Sequence, residues 1–438
     1  MRQNVIFVLT ILLFSFSCTC PKSRGKPNII IIMADDMGYE CLGCNGSLSY
    51  STPVLDNLAS SGIRFTNCYS QPLCTPSRVK LMTGKYNYRN YEYFGYLNEE
   101  QLTFGTVMKE AGYATCIAGK WQLNGLAYDL PGYDDNTRPC QFGFDEYCLW
   151  QLTIPGNKGS RYADPVIEQN GELLKPGIDN YGPDLFADYI LDFIERKKDE
   201  PFFIYYPMVL VHNPFVPTPD TEAWSDTTRR LERNMDYFSD MMTYTDKIVG
   251  KIIESLKNNG IYENTMLIFT GDNGTNRAIT SETTWGPVHG FKGNTTDAGT
   301  RVPLIISWPE KMKKPMVYEG LVDFSDIMPT FAEFAGREVE TDGRTLLPLL
   351  TIGQIADKEE IFMHYDPRWG PNVNKYRNRF ARTKEYKLYQ DGKFYYLPDD
   401  VLEHTPLPDS SLTDEQKSIK KNLQQHIDKA PEWKESIR

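Results

Sequence analysis

The sequence has no long block of Lys or Arg, only 5 histidines, and no internal repeat or low-complexity tract. Its 438 residues include 47 Lys or Arg against 58 Asp or Glu, which gives a net charge of −11. Nucleic acids and anionic membranes are bound through basic surfaces, so this acidic balance argues against both as partners. It leaves a neutral or locally anionic small substrate as the expected partner.

After the N-terminus the sequence also lacks a long hydrophobic run. Residues Met1–Cys20 contain the apolar run Val5–Phe16, which is too short for a membrane span of about 20 residues and is typical of an export signal. Cys18 follows a small residue as in a bacterial lipoprotein signal, but Ser15 stands where Leu is usual, so lipidation and simple cleavage both remain open. We expect an exported protein, periplasmic or at the cell surface, with at most a lipid anchor and no transmembrane span in the mature chain.

Cysteine is absent after residue 148, and all nine cysteines lie in the first third of the chain. Export permits disulfides, and Cys140 and Cys148 are spaced to pair across a loop, although sequence does not fix the connectivity. Cys41 and Cys44 have zinc-like spacing. No second Cys or His pair follows at finger spacing, which argues against a structural zinc site.

Short apolar segments alternate with amphipathic ones, which is typical of an α/β fold with a large, mostly parallel sheet sandwiched by helices. The predicted strands are Asn28–Met33, Tyr113–Ala118, Phe202–Tyr206, Met266–Thr270 and Leu304–Trp308. The predicted helices are Thr52–Ser61, Thr106–Ala111, Pro183–Lys198, Thr228–Asn259 and Asp326–Ala335. A turn-rich segment over 341–350 predicts a domain boundary, and beyond it 386–390 and 393–397 are predicted to form a hairpin.

Polar side chains follow two of the predicted strands directly. Asp35 and Asp36 end the first strand, and Asp272 and Asn273 follow the strand that ends at Thr270. Ligands of open parallel sheets gather beyond the carboxyl ends of the strands, and an oxygen-only set suits Ca²⁺ or Mg²⁺. Either cluster alone would be interpreted as a turn. Together, at equivalent places in the sheet, they predict a metal site.

The most specific motif is Cys74-Thr75-Pro76-Ser77-Arg78, followed by Thr83 and Gly84. With the Gly119-Lys120-Trp121 and Arg301-Val302-Pro303 segments, it resembles the formylglycine-dependent type I sulfatases of the alkaline phosphatase superfamily, from Asn28 to about Pro406. The resemblance implies an alkaline phosphatase-like catalytic domain over 26–340. It also implies a smaller C-terminal α+β subdomain with an antiparallel sheet over 341–438.

The resemblance implies that Cys74 is oxidised to formylglycine by a maturation enzyme, and that the hydrated aldehyde is the nucleophile. It places the cation, Ca²⁺ with Mg²⁺ as the alternative, between the modified Cys74 and the four strand-end residues named above. Arg78 would hold the diol, Lys120 and Lys292 would bind sulfate, and His212 would protonate the leaving alcohol, a task that suits an imidazole.

Further substrate contacts are predicted at His289, at His364 with nearby Arg368, and at Gln122. Gln122 is a departure, because the family commonly has a histidine there that assists sulfate release by accepting a proton, whereas an amide is not basic. The Asp297-Ala298-Gly299 segment departs from the usual Glu-Gly-Gly, with less expected consequence.

The predicted function is hydrolysis of sulfate esters, and export favours a sulfated carbohydrate or polysaccharide as the substrate. Two alternatives remain. One is a phosphonate or phosphodiester hydrolase of the same superfamily with the same site. The other is a sulfated-glycan-binding protein without turnover, which Gln122 motivates.

Overall fold

The computed structural model describes residues 25–154, 159–312, 314–368 and 376–434. Ten strands form its central sheet: β1 Asn28–Ala34, β2 Ile63–Tyr69, β3 Ala114–Lys120, β4 Glu146–Trp150, β5 Ile167–Gln169, β6 Glu172–Leu174, β7 Phe202–Pro207, β8 Thr265–Gly271, β11 Arg301–Ser307 and β12 Met316–Asp323. Their order is β12-β2-β11-β8-β1-β7-β3-β4-β5-β6. Within this sheet, β11 and β5 run against the other eight strands.

Helices cover both faces of this sheet, so β1 is buried along its whole length and is apolar from Ile29 to Ala34. The helices are α1 Pro53–Ser61, α2 Cys74–Thr83, α3 Asn87–Asn90, α4 Phe104–Glu110, α5 Arg138–Gln141, α6 Gly182–Lys197, α7 Tyr237–Asn258, α8 Asp297–Thr300, α9 Ile327–Phe334, α10 Leu347–Ile352 and α11 Asp414–Asp428. Ile30 and Ile32 pack with α1, α6 and α7, whereas Ile29 and Ile31 pack with α2, α4, α9 and α10.

Two smaller sheets complete the structure. β9 Thr280–Ser281 pairs with β10 Val288–His289 in a short hairpin. The second is a four-stranded antiparallel sheet of β13 Ile361–Tyr365, β14 Asn378–Arg382, β15 Tyr386–Tyr389 and β16 Phe394–Tyr396, and α11 packs on it through Leu423 and Ile427. The predicted α/β class with a C-terminal antiparallel sheet is confirmed.

The prediction for the longest helix is wrong at its start, because α7 begins at Tyr237 and not near Thr228. The side chain of Asp226 accepts hydrogen bonds from the Thr228 backbone N–H and hydroxyl, and Asn234 accepts one from the Asp236 N–H. Such local bonds give the backbone an alternative to the helix.

The cysteine pairing is also absent from the structure. All seven cysteines that the structure describes are free. Cys148 is buried within β4, whereas Cys140 is exposed on α5, so the two thiols do not pair. Cys41 and Cys44 belong to none of the potential metal-binding groups found among the described residues. The predicted leader Met1–Cys20 lies outside the described residues. Among the helices that are described, none is long and apolar enough to cross a membrane.

Candidate active site

The carboxyl ends of four neighbouring strands bring the predicted site residues to one edge of the sheet. Asp35 and Asp36 follow β1, Gln122 follows β3, His212 lies five residues beyond β7, and Asp272 and Asn273 follow β8. Because β1 pairs in parallel with both β7 and β8, these ends lie side by side. Asp36 (φ 63°) and Gln122 (φ 53°) both adopt the left-handed conformation, which is unusual for residues other than glycine and recurs at functional sites.

The three acidic side chains and Asn273 form a compact group of oxygens. Ligand atoms of Asp35, Asp272 and Cys74 all lie within 4.8 Å of one another. The Asp36 N–H donates to Asp272 Oδ1 (3.0 Å), and Asn273 Nδ2 donates to Asp36 Oδ1 (2.9 Å). These bonds fix the orientation of the side chains and leave Asp272 Oδ2 and Asn273 Oδ1 without a hydrogen bond from the described residues.

Three of those oxygens are buried and accept no hydrogen bond from the described residues: Asp35 Oδ1, Asp272 Oδ2 and Asn273 Oδ1. Burial, reinforced by the charge of Asp35, raises the pKa of Asp272 to about 8. Buried oxygens normally have a partner, and an unpaired buried carboxylate is costly. The residues therefore fit a hard divalent cation, which would satisfy these oxygens and offset the repulsion among the carboxylates.

Cys74 occupies the first turn of α2, and the motif around it explains why. The Ser77 hydroxyl accepts from the Gln71 N–H (2.9 Å) and donates to the Gln71 carbonyl (3.0 Å), which fixes the loop entering the helix. Pro76 is compatible with the first turn, where its missing N–H would have no partner. Cys74 is buried, but it borders a cavity of about 400 Å³.

Four cations surround the acidic group. Lys120 Nζ lies 2.7 Å from Asp35, Lys292 Nζ lies 2.6 Å from Asp36, and Arg78 NH2 lies 3.6 Å from Asp272. Arg78 also donates to the Lys120 carbonyl (2.7 Å). The fourth cation is Arg161, whose NH1 lies 3.5 Å from Asp35. Burial alone would raise the pKa of Asp35, but Lys120, His212 and Arg78 together hold it well below its usual value.

His212 borders the same cavity and faces Asp36, with Nε2 3.8 Å from Asp36 Oδ2. Its Nδ1 lies 2.6 Å from the Asn213 carbonyl, and because a carbonyl can only accept, Nδ1 carries the hydrogen and donates the hydrogen bond. Burial lowers the pKa of His212 to about 3. The imidazole is therefore oriented with Nε2 toward the acidic group and the cavity.

The family model described as Sulfatase matches residues 27–337. The chain belongs to the sulfatase family. A second family model, the C-terminal region of N-sulphoglucosamine sulphohydrolase, matches residues 292–432. The protein is thus a type I sulfatase of the alkaline phosphatase superfamily, a class of sulfuric ester hydrolases, and the resemblance stated from sequence is confirmed.

Similar proteins extend over most of this sulfatase. Arylsulfatase A of Homo sapiens is 30% identical over 83% of this chain and 74% of its own. N-acetylgalactosamine-6-O-sulfatase of Bacteroides thetaiotaomicron is 31% identical over 73% of this chain and 75% of its own. The crystal structure of Ps i-CgsB, which has also been solved in complex with k-i-k-neocarrahexaose, superposes with a TM-score of 0.75 at 27% identity over 92% of both chains.

Three predicted substrate contacts of this sulfatase do not line the cavity beside Cys74. His289 is exposed on β10, where its Nδ1 lies 3.0 Å from the Thr280 hydroxyl. His364 is buried in β13 and accepts a hydrogen bond from Arg379 Nε (2.9 Å). Arg368 is buried near Tyr93. By contrast, Gln122, His212 and Lys292 all border the cavity.

The cavity is also lined by Arg161 and Gln151, which were not predicted from the sequence. Gln151 directly follows β4, and its carbonyl accepts a hydrogen bond from the Gln122 N–H (3.3 Å). Arg161 lies far from every motif, and its place depends on packing of its guanidinium 4.1 Å above the Trp150 ring. No local pattern in the sequence marks that contact.

Proposed function

We propose that this sulfatase hydrolyses sulfate esters of carbohydrates with a formylglycine made from Cys74 and a bound Ca²⁺, and releases inorganic sulfate. The carrying observation is that Cys74 opens into a cavity at the point where three buried oxygens lack a hydrogen-bond partner and four cations converge. The oxygen-only donors favour Ca²⁺, and Mg²⁺ is the alternative cation.

The proposed roles follow from position. The hydrated aldehyde made from Cys74 would supply the nucleophile, and a cation held by Asp35, Asp36, Asp272 and Asn273 would lower the pKa of that nucleophile. Lys120 and Lys292 pair with the neighbouring carboxylates of Asp35 and Asp36, and both would neutralise negative charge on a sulfate bound near Cys74. Arg78 would hold the hydrated aldehyde at Cys74. His212, with Nε2 toward the cavity, would pass a proton to the leaving alcohol in its imidazolium form, which its pKa of about 3 makes scarce at neutral pH.

A carbohydrate substrate is supported by the names of the relatives. One is an N-acetylgalactosamine-6-O-sulfatase, and the structurally similar Ps i-CgsB was crystallised with k-i-k-neocarrahexaose. We further propose export through Met1–Cys20 and conversion of Cys74 by a maturation enzyme. A mass measurement on the purified mature N-terminus distinguishes lipidation of Cys18 from simple cleavage.

The test combines two measurements on protein made together with a maturation enzyme. Mass spectrometry of the peptide containing Cys74 should show the aldehyde, and ion chromatography should detect sulfate released from a panel of monosulfated sugars. The Cys74→Ala variant should release none. A thiol that stays unmodified while a control sulfatase is converted would refute the proposed nucleophile.

The same assay separates the two alternatives. A phosphonate or phosphodiester hydrolase would turn over those esters faster than sulfate esters. A glycan-binding protein would bind sulfated sugars and release no sulfate, even with Cys74 converted. Release that depends on Cys74 and is fastest with sulfate esters supports the proposal over both.

A further inference from the structure

Arg161 has an uncommon environment for a buried arginine. Its guanidinium packs on Trp150, its side chain is only 12% exposed, and NH1 is closed off from solvent without a hydrogen bond. The 3.5 Å contact with Asp35 is its one ion pair among the described residues. Buried guanidinium N–H groups normally have acceptors, so this side chain is positioned for one more partner.

The missing partner belongs in the cavity. Arg161 lines it together with Cys74, Gln122 and His212. Arg161 and Lys120 contact the same Asp35 oxygen, at 3.5 and 2.7 Å, so the guanidinium stands beside the group that the resemblance assigns to sulfate. Packing on Trp150 fixes the plane of the guanidinium and reduces the rotamer freedom that binding would remove.

Arg161 also stands next to the position where this chain departs from its family. The Trp121 and Gln122 N–H groups donate to the Trp150 and Gln151 carbonyls, so the end of β3 lies against the end of β4, and Trp150 is the residue that Arg161 covers. Gln122 cannot carry a positive charge. Arg161 instead supplies a cation to the cavity that Gln122 also lines.

We infer that Arg161 is a substrate-binding residue that donates to an oxyanion of the sulfated ligand. This deepens the proposed function and rests on it. The ligand oxygen belongs either to the sulfate group that is removed or to a second acidic group, a carboxylate or sulfate, on the same saccharide. Both are planar or tetrahedral oxyanions that a guanidinium binds through two N–H groups.

Binding is measured without turnover in the Cys74→Ala background, at saturating Ca²⁺, by isothermal titration calorimetry. One arm uses inorganic sulfate. The other uses a pair of monosulfated sugars that differ only by a carboxylate. Arg161→Met should weaken binding at least about tenfold, as expected for hydrogen bonds to a charged group. Arg161→Lys should recover part of the loss, because it keeps the charge without the planar fork.

Arg230→Met is the matched control. Arg230 also packs on a tryptophan, Trp224, at 4.7 Å and is 11% exposed, but its N–H groups are bound by the Trp224 and Ile178 carbonyls and by Asp179, outside the cavity. The Arg230→Met variant should bind the ligands with unchanged affinity. The change in its Tm measures the stability that is lost with a stacked arginine.

The two arms assign the anion. A loss with inorganic sulfate assigns Arg161 to the sulfate group, and a loss confined to the carboxylated sugar assigns it to a second acidic group. The inference is overturned if Arg161→Met remains folded and binds all ligands within about twofold, or if it weakens Ca²⁺ binding alone. If the Cys74→Ala parent binds neither sulfate nor sulfated sugars, the proposed function itself fails.

Discussion

Asp272 shows most directly what a single residue contributes to this site. Its buried carboxylate faces Asp35 and Asp36 and has an oxygen without a donor, so it destabilises the cation-free protein and stabilises the cation-bound one. Asp272→Asn should leave the Tm in EDTA equal or higher, and should remove most of the rise in Tm caused by Ca²⁺. Differential scanning fluorimetry with EDTA, Ca²⁺ or Mg²⁺ measures both effects.

Asp246→Asn controls for the loss of any buried carboxylate. Asp246 accepts from the Val54 and Leu55 N–H groups, away from the acidic group. It should lower the Tm and keep the full response to Ca²⁺. An undiminished Ca²⁺ response in Asp272→Asn would contradict a cation at this place.

Gln122 sets a second prediction at the residue scale. An imidazole at this position accepts a proton where an amide does not, and general acid–base groups contribute roughly 10²- to 10⁴-fold to rate. Gln122→His should therefore raise kcat for a sulfated sugar by about tenfold or more with little change in KM. Steady-state sulfate release measures this.

Gln151→His is the matched control for Gln122→His, because Gln151 lines the same cavity and is also left-handed (φ 57°). It should not raise kcat. Equal effects of the two substitutions would show that any imidazole in the cavity suffices, and no effect of Gln122→His would show that proton transfer here does not limit turnover.

Among the elements, β3 depends on one glycine. Gly119, which directly precedes Lys120, has φ 112°. A Cβ on Gly119 would lie 2.1 Å from the Pro207 carbonyl oxygen of β7. Gly119→Ala should lower the free energy of unfolding by at least about 3 kcal/mol, because the contact is with backbone and cannot rotate away. Thermal and urea unfolding measure the change.

Gly112→Ala gives the comparison. Gly112 also has a positive φ (82°), but no atom lies within 4 Å of its Cβ position. Gly112→Ala should lower the free energy of unfolding only by the conformational penalty of about 1–2 kcal/mol. If the two variants lose the same stability, the close approach of β3 to β7 adds nothing to the cost of a Cβ at Gly119.

Element type was predictable where one physical signal dominated. The continuous Ile run of β1 and the helical period of α6 predicted nearly correct bounds. A strand that is buried on both faces has a continuous apolar run, and a helix that is buried on one face has apolar residues at helical spacing. β2, Ile63–Tyr69, was missed since Arg64, Thr66 and Asn67 interrupt its apolar run and are bound by side chains or carbonyls from distant segments.

The residues of the candidate site were likewise predictable only where a local sequence signal marks them. The strand-end acids and the Cys74 motif were found because they are contiguous in sequence, and the structure brings them together. Arg161 was missed because only tertiary packing carries it to Asp35. His364 stays a predicted substrate contact; its neighbours Arg379 and Trp433 come from far along the chain, so sequence did not show them.

At the scale of the whole molecule, Asp297 connects the two parts of the chain. On α8, it forms a 2.6 Å ion pair with Arg382 of β14, lies 3.9 Å from Lys387 of β15, and accepts from the Tyr69 hydroxyl. From the sequence alone, Asp297 in place of the family's usual Glu was expected to have little consequence. The structure instead places its carboxylate at the buried contact between the large and the C-terminal sheet.

Asp297→Asn should therefore lower stability by about 3–5 kcal/mol at neutral pH, because it leaves buried cations uncompensated. Burial raises the pKa of Asp297, but Arg382 and Lys387 outweigh it and hold the pKa below the usual 3.8. This stabilisation is present above pH 3.8 and is lost as pH falls through the lower folded value. The Tm gap to wild type should narrow below about pH 4.

Asp192→Asn provides the surface comparison, since Asp192 pairs with Arg196 at 2.7 Å but is 62% exposed. Exposed pairs contribute about 0–1 kcal/mol, so its Tm should barely change. A gap for Asp297→Asn that stays constant from pH 7 to pH 3 would contradict an ion pair with a lowered pKa.

The charge distribution has a consequence for how a polymer reaches this enzyme. The four cations of the site lie beside its buried carboxylates, while the chain as a whole carries −11, so we expect a sulfated polysaccharide to be repelled at a distance before it is bound at contact. Raising ionic strength from about 10 to 150 mM shortens the screening length from about 30 to 8 Å. We expect kcat/KM for the polymer to rise over that range while that for a monosulfated sugar changes little, the reverse of an electrostatically steered encounter. A steady fall for the polymer would show that the local positive site, and not the net charge, governs the approach.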